Sequence, residues 1–158
     1  MTDERVPPPD HDQPRDPSAP GDPSAPGDSE AVDDRESAFD LLQRGQALAR
    51  KRHNAQAAVV LERADRLEPG KASILEALGR AYFNSGQHEL SRATFEALLE
   101  VDPSSHYGQF ALGQSLKKLG REREAWTHLR LAVALAPGTA LYRSALARIP
   151  DPRGGDDN

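Results

Sequence analysis

One pattern of residues is written three times between residues 38 and 137. Gly45, Gly79 and Gly113 stand 34 residues apart, and three positions after each comes Leu48, Tyr82 or Leu116. Later in each unit come Ala57, Ser91 and Ala125, then Leu61, Phe95 and Leu129, then Ala64, Leu98 and Ala132. Each unit closes on a proline: Pro69, Pro103 and Pro137. Agreement at six offsets across three copies is not an accident of composition. A chain with this period folds as a stack of like units, because no single unit can bury its own apolar face without a neighbour.

Within the units the apolar residues recur at helical spacing. Phe39, Leu41, Leu42, Gly45, Leu48 and Ala49 form one apolar face over residues 36–50. After the polar break Arg52-His53-Asn54, a second helix is expected over 55–67, carrying Ala57, Val60, Leu61, Ala64 and Leu67 before Pro69-Gly70 stops it. Helices are expected likewise over 72–84, 88–101, 106–119 and 122–135, with turns at Ser85-Gly86-Gln87 and Gly120. The serines of Asp102-Pro103-Ser104-Ser105 offer a cap for the fifth. A seventh helix over 139–149 follows Pro137-Gly138, carries Leu141, Tyr142, Leu146 and Ile149, and closes the last open face, with Arg143 and Arg148 on its wet side. Glycine in the first helix of a pair lets the second approach, and the large residue three positions on (Leu48, Tyr82 or Leu116) is expected to fill the space beside it.

The unit resembles the tetratricopeptide repeat. The middle copy matches best, in Leu75, Leu78-Gly79, Tyr82, Ser91, Phe95 and Pro103. The first departs at Arg44, where the family has an apolar residue before the glycine, and the third at Gln109, where the other copies carry Leu41 and Leu75. The resemblance implies an all-α, right-handed α–α superhelix: three helix pairs (about 38–71, 72–105 and 106–139) and a capping helix (139–149) in one domain over residues 36–149. It also implies a concave groove lined by the first helices, which holds an extended peptide. Positions matching the inward-facing residues are Gln46 and Arg50, Arg80 and Asn84, then Gln114 and Lys118, flanked by Leu42, Glu76, Phe83, Tyr107 and Phe110. The amides and cations would bind backbone carbonyls and carboxylates, and the aromatic rings would anchor apolar side chains. The clamp by which some members grip a chaperone's terminal carboxylate is missing: its places hold Leu42, Gln46, Ala77, Tyr107 and Ala111.

Charge divides the chain. Residues 1–34 hold two arginines against ten carboxylates, a net of −8, whereas residues 35–149 hold 17 Lys and Arg against 12, a net of +5. The first stretch repeats Asp-Pro-Ser-Ala-Pro-Gly from Asp16 and Asp22 and has almost no large apolar side chains. It cannot offset the entropy of ordering, so residues 1–35 are expected to be a disordered acidic tail, and residues 150–158 a second disordered one. The acidic tail could compete for the basic groove.

Chemistry is scarce. The chain has no cysteine, which excludes disulfides and thiolate metal sites. The five histidines (His11, His53, His88, His106 and His128) show no metal-ligand spacing, and no phosphate-binding glycine loop occurs. Ser91, Ser115 and Ser144 have no histidine at a recognisable spacing. Neither enzymatic activity nor a cofactor is expected. No apolar run is long enough for a membrane span, and the N-terminus lacks a signal-peptide core, so a cytoplasmic protein is expected. Basic clusters at Arg50-Lys51-Arg52-His53 and around Lys117-Lys118 and Arg121 read as helix ends, although they admit an alternative role on nucleic acid. A third alternative is a structural solenoid that stacks on itself. The favoured expectation is an adaptor that binds an extended or acidic segment of a protein partner; the oligomeric state is left open.

Overall fold

The computed structural model describes residues 35–154, which form seven helices and no strand. The tail expected over residues 1–35 lies outside the described residues except for Arg35, as do residues 155–158 and the proposed competition by the acidic tail. The helices are α1 (Ala38–Arg50), α2 (Asn54–Leu67), α3 (Ala72–Asn84), α4 (His88–Val101), α5 (His106–Lys118), α6 (Glu122–Leu135) and α7 (Ala140–Ala147). Each packs on the next in chain order, and α1 also meets α3, as α3 meets α5. The chain is thus an all-α superhelix of three helix pairs and a shorter closing helix.

Local chemistry sets where the helices begin. The Ser37 hydroxyl accepts the Asp40 N–H at 3.1 Å while the Asp40 carboxylate accepts the Ser37 N–H at 3.0 Å, so α1 starts at Ala38. These bonds hold the Asp40 carboxyl below the usual carboxylate range. Ser105 caps α5 by accepting the Gly108 N–H at 3.0 Å.

The first helix of each pair ends in one repeated device. The N–H groups of His53, Gln87 and Arg121 each donate to a carbonyl five residues back, on Leu48, Tyr82 and Leu116, at 2.9 Å. This closure requires a left-handed residue just before the donor. Gly86 and Gly120 supply it at φ 81° and 75°, and in the first repeat Arg52 does so at φ 63°.

The glycine triplet acts through close approach. A Cβ on Gly45, Gly79 or Gly113 would stand 2.5, 2.7 or 2.7 Å from Leu61, Phe95 or Leu129 respectively. Each first helix therefore lies directly on the large side chain of its own second helix. The apolar core has two clusters: α1, α2 and α3 supply one, and α4 to α7 with Leu75 supply the other.

Three side chains expected in the core are exposed. Phe39 is 61% exposed, since no described helix precedes α1 to cover it; Tyr107, two periods later, is half-buried against Phe95 of α4. Leu141, one period further on, is 60% exposed because no described helix follows α7. Leu67 is 57% exposed at the end of α2, as Val101 and Leu135 are half-exposed at the ends of α4 and α6. Leu42, expected to flank the groove, is buried in the first core cluster instead.

Candidate functional site

Helices α1, α3 and α5 stand side by side, and two hollows lie along them. The smaller, about 370 Å³, is bounded by Gln46 and Arg50 of α1 and by Glu76, Arg80 and Asn84 of α3. The larger, about 670 Å³, lies between α3, α5 and α7. Arg80 and Asn84 border both, so the hollows form adjoining parts of one surface. Gln46 and Arg50 stand at the smaller; Phe83, Tyr107, Phe110, Gln114 and Lys118 stand at the larger.

The register follows from helix geometry. Gln46 and Arg50, Arg80 and Asn84, and Gln114 and Lys118 are each four residues apart, so each pair projects from one helix face. The 34-residue period brings the three pairs into file.

A chain of rings runs through the larger hollow. Phe95 meets Tyr107 edge-on at 6.1 Å, Tyr107 lies 6.3 Å from Phe110, and Phe110 stacks on Tyr142 of α7 at 4.7 Å. The Tyr142 hydroxyl lies 2.9 Å from His106 Nδ1. The Arg80 guanidinium sits over the Tyr107 ring at 5.9 Å. Burial pushes the Tyr107 phenol up to about 12, with Arg80 opposing and Glu76 reinforcing the shift. Burial also raises the Tyr142 phenol. Both hydroxyls stay protonated at neutral pH, so the hollow carries no phenolate.

Three contributors escaped the sequence reading. Arg148, expected on the wet side of the closing helix, borders the larger hollow. It lies 34 residues after Gln114, so the period itself could have found it. Lys117 stands beside Lys118, and Phe95, a core residue of the repeat, contributes a ring from α4. Nothing in the repeat pattern distinguishes a core ring that also reaches a surface hollow.

The remaining candidates disperse. Ser91 and Ser115 are fully buried and lie 2.9 Å from each other, with no histidine between them. Ser144 is exposed on α7. His128 Nδ1 lies 2.8 Å from the Gln109 amide oxygen, and His88 meets Phe83 edge-on. Among the described residues no group of three His, Asp or Glu is placed to hold a metal, and no helix is long and apolar enough to cross a membrane. The basic clusters are split: Arg50 and Lys118 border the hollows, Arg52 forms a turn, and Arg121 is paired with Glu124 at 2.8 Å. Residues 151–154 form a turn that brings Arg153 over the Trp126 ring at 4.6 Å.

A family model for the tetratricopeptide repeat matches residues 47–111. A comparison with curated protein sequences gave no match. Among solved structures, the first such domain of Spaghetti (RPAP3), bound to the HSP90 peptide SRMEEVD, is similar at a TM-score of 0.68 and 14% identity, covering 70% of this chain and 88% of that one. The Sgt2 domain from Aspergillus fumigatus is similar at 0.65 and 20% identity, covering 70% and 74%. YrrB, described as having an unusual peptide-binding site, is similar at 0.68 and 20% identity, covering 74% of this chain and 61% of that one. At these identities the likeness is one of fold. Period, helix pairing, family model and structural likeness agree on one fold, that of the tetratricopeptide repeat.

Proposed function

We propose that this protein is an adaptor that binds an extended, acidic segment of a protein partner along the surface formed by α1, α3 and α5. The observation that carries the reading is the adjoining pair of hollows joined by Arg80 and Asn84. Donors in file along it (Gln46, Arg50, Arg80, Asn84, Gln114 and Lys118) suit the carbonyls and carboxylates of an extended chain. Spaghetti and YrrB, which share the fold, are described as binding peptides, and this supports the same use here. The HSP90 peptide itself is not carried over. Leu42 is buried and Ala77 and Ala111 offer no side-chain donor where a terminal carboxylate would need one. The cytoplasmic setting expected from the sequence belongs to the same proposal.

The test is affinity capture with the full chain and with a variant carrying Arg80→Ala, Asn84→Ala and Lys118→Ala. A protein retained by the first and lost by the second, with cross-links from its captured segment to α3 or α5, supports the groove. Equal retention by both moves the interface elsewhere.

A further inference from the structure

The two hollows differ in kind. The smaller is walled by Ala49, Ala77 and Ala81 and carries both signs of charge, Arg50 and Arg80 against Glu76. The larger has rings for its floor, and its border holds Arg80, Lys117, Lys118 and Arg148 with no carboxylate. The repeat explains the asymmetry. The position occupied by Phe110 in α5 is Leu42 in α1 and Glu76 in α3, and the position occupied by Lys117 is Ala49 and Phe83. Apolar surface and positive charge therefore accumulate together at the C-terminal end of the groove.

Resting on the groove reading above, we propose that the larger hollow is an anchor subsite. It takes one large apolar side chain from the partner, and the partner's flanking carboxylates pair with Arg80, Lys117, Lys118 and Arg148. Both halves of the ligand are needed. An acidic segment without an apolar side chain leaves the rings of Tyr107 and Phe110 wet, and a neutral apolar one leaves four cations unpaired. The volume, about 670 Å³, falls within the ~300–1,000 Å³ usual for ligand pockets. The floor is also built in advance. Phe95 holds the edge of Tyr107, and Tyr142, held by His106, backs the face of Phe110. Fixing rings before binding lowers the ordering cost of association. The same stacking turns one face of Phe110 toward Tyr142, which makes the hollow a poorer platform for a nucleic-acid base than for an aliphatic or aromatic side chain.

The experiment is a selection of random dodecapeptides displayed on phage against the immobilised full chain, counter-selected against the Arg80→Ala/Lys118→Ala variant. Selected peptides are expected to share one position held by Phe, Leu, Met or Trp, flanked by Asp and Glu. Fluorescence anisotropy on the best peptide then reads the anchor directly. Changing that residue to alanine should weaken binding to the wild type about tenfold or more, as loss of a central buried anchor does. The same change should matter by less than about twofold on Phe110→Ala. Because Phe110→Ala removes a stacked ring, its fold is checked by circular dichroism. The exposed Arg148→Ala serves as a second variant, which should weaken the peptide severalfold and flatten its salt dependence.

Peptides that need Arg80 and Lys118 but share no apolar position overturn the anchor and leave the groove standing. Peptides indifferent to both Phe110→Ala and Arg148→Ala also overturn it. Failure to enrich any peptide over the counter-selection removes the groove reading itself, and the anchor with it. Binding of an oligothymidine probe at equal or higher affinity, lost on the same variants, reassigns the surface to nucleic acid.

Discussion

The hydroxyls of Ser91 and Ser115 lie 2.9 Å apart, fully buried between α4 and α5, where the preceding inter-repeat junction has Ala57 and Ala81. Ser91 also reaches the Gly79 carbonyl at 3.0 Å, and Ser115 the Ala111 carbonyl at 2.9 Å. Two hydroxyl protons thus serve three contacts, so at least one contact is shared. Either serine can satisfy its proton on its own backbone acceptor when the other is gone. Ser91→Ala and Ser115→Ala should each cost about 1 kcal/mol, and the double variant less than the sum of the two, because the shared bond is lost only once. Urea unfolding of the four proteins tests this, and strict additivity would refute it.

Arg52 adopts the left-handed backbone that Gly86 and Gly120 adopt in the later repeats. A side chain there costs roughly 1–2 kcal/mol, partly offset by the greater freedom that glycine has when unfolded. Arg52→Gly should therefore stabilise the protein by up to about 1 kcal/mol, whereas Gly86→Ala and Gly120→Ala should destabilise it by a similar amount. Thermal unfolding decides the matter. A lower midpoint for Arg52→Gly would show that its side chain contributes more than its backbone costs.

His128 is half-buried against Gln109, and burial lowers its pKa, with Glu124 and Glu96 opposing more weakly. The folded state thus prefers the neutral ring. Its contribution to stability is complete above the ordinary histidine value of about 6.5 and is lost as pH falls through the depressed folded value. His128→Gln should flatten the stability–pH profile below pH ~6.5. An NMR titration placing the folded His128 at or above that value would contradict the assignment.

Two guanidinium groups lie over the Trp126 ring, Arg130 at 5.3 Å and Arg153 at 4.6 Å, and Arg153 is also paired with Asp151 at 3.1 Å. Arg153→Ala should expose one face of the indole and shift its emission to the red, at a cost of about 0.5–1 kcal/mol. As the chain has one tryptophan, the emission reports the surroundings of Trp126 alone. An unchanged spectrum would mean that the stack does not persist in solution.

Gly79 lies on Phe95 so closely that an added Cβ would meet the ring at 2.7 Å. Gly79→Ala should cost about 1–3 kcal/mol through overpacking, read as a lower urea midpoint at unchanged slope. The same substitution sits one residue from Arg80, so peptide binding should weaken with it. A variant of full stability would show that Phe95 yields more easily than its complete burial implies.

The repeat by itself determined the architecture. The bounds of α3, α4 and α6 coincide with those expected from periodicity, and α1 differs only because Ser37 caps rather than joins it. The close approach at each glycine was likewise written in the spacing, although the side chain that meets it stands 16 positions later, in the partner helix, rather than three. These relations are local or run between adjacent units, and a linear pattern records such relations well. What tertiary structure decided lies where the pattern meets its ends or its exceptions. Phe39 and Leu141 occupy the repeat position of Tyr107 yet stay exposed, because cover depends on which neighbour is present. Leu42 turned into the core while Arg148, at the same register as Gln114, came to the hollow. Arg52 took a glycine's conformation because a hydrogen-bonded turn common to all three pairs required it. A residue's type and spacing fix the face it belongs to, but only the packed stack fixes whether that face is covered, open or shared.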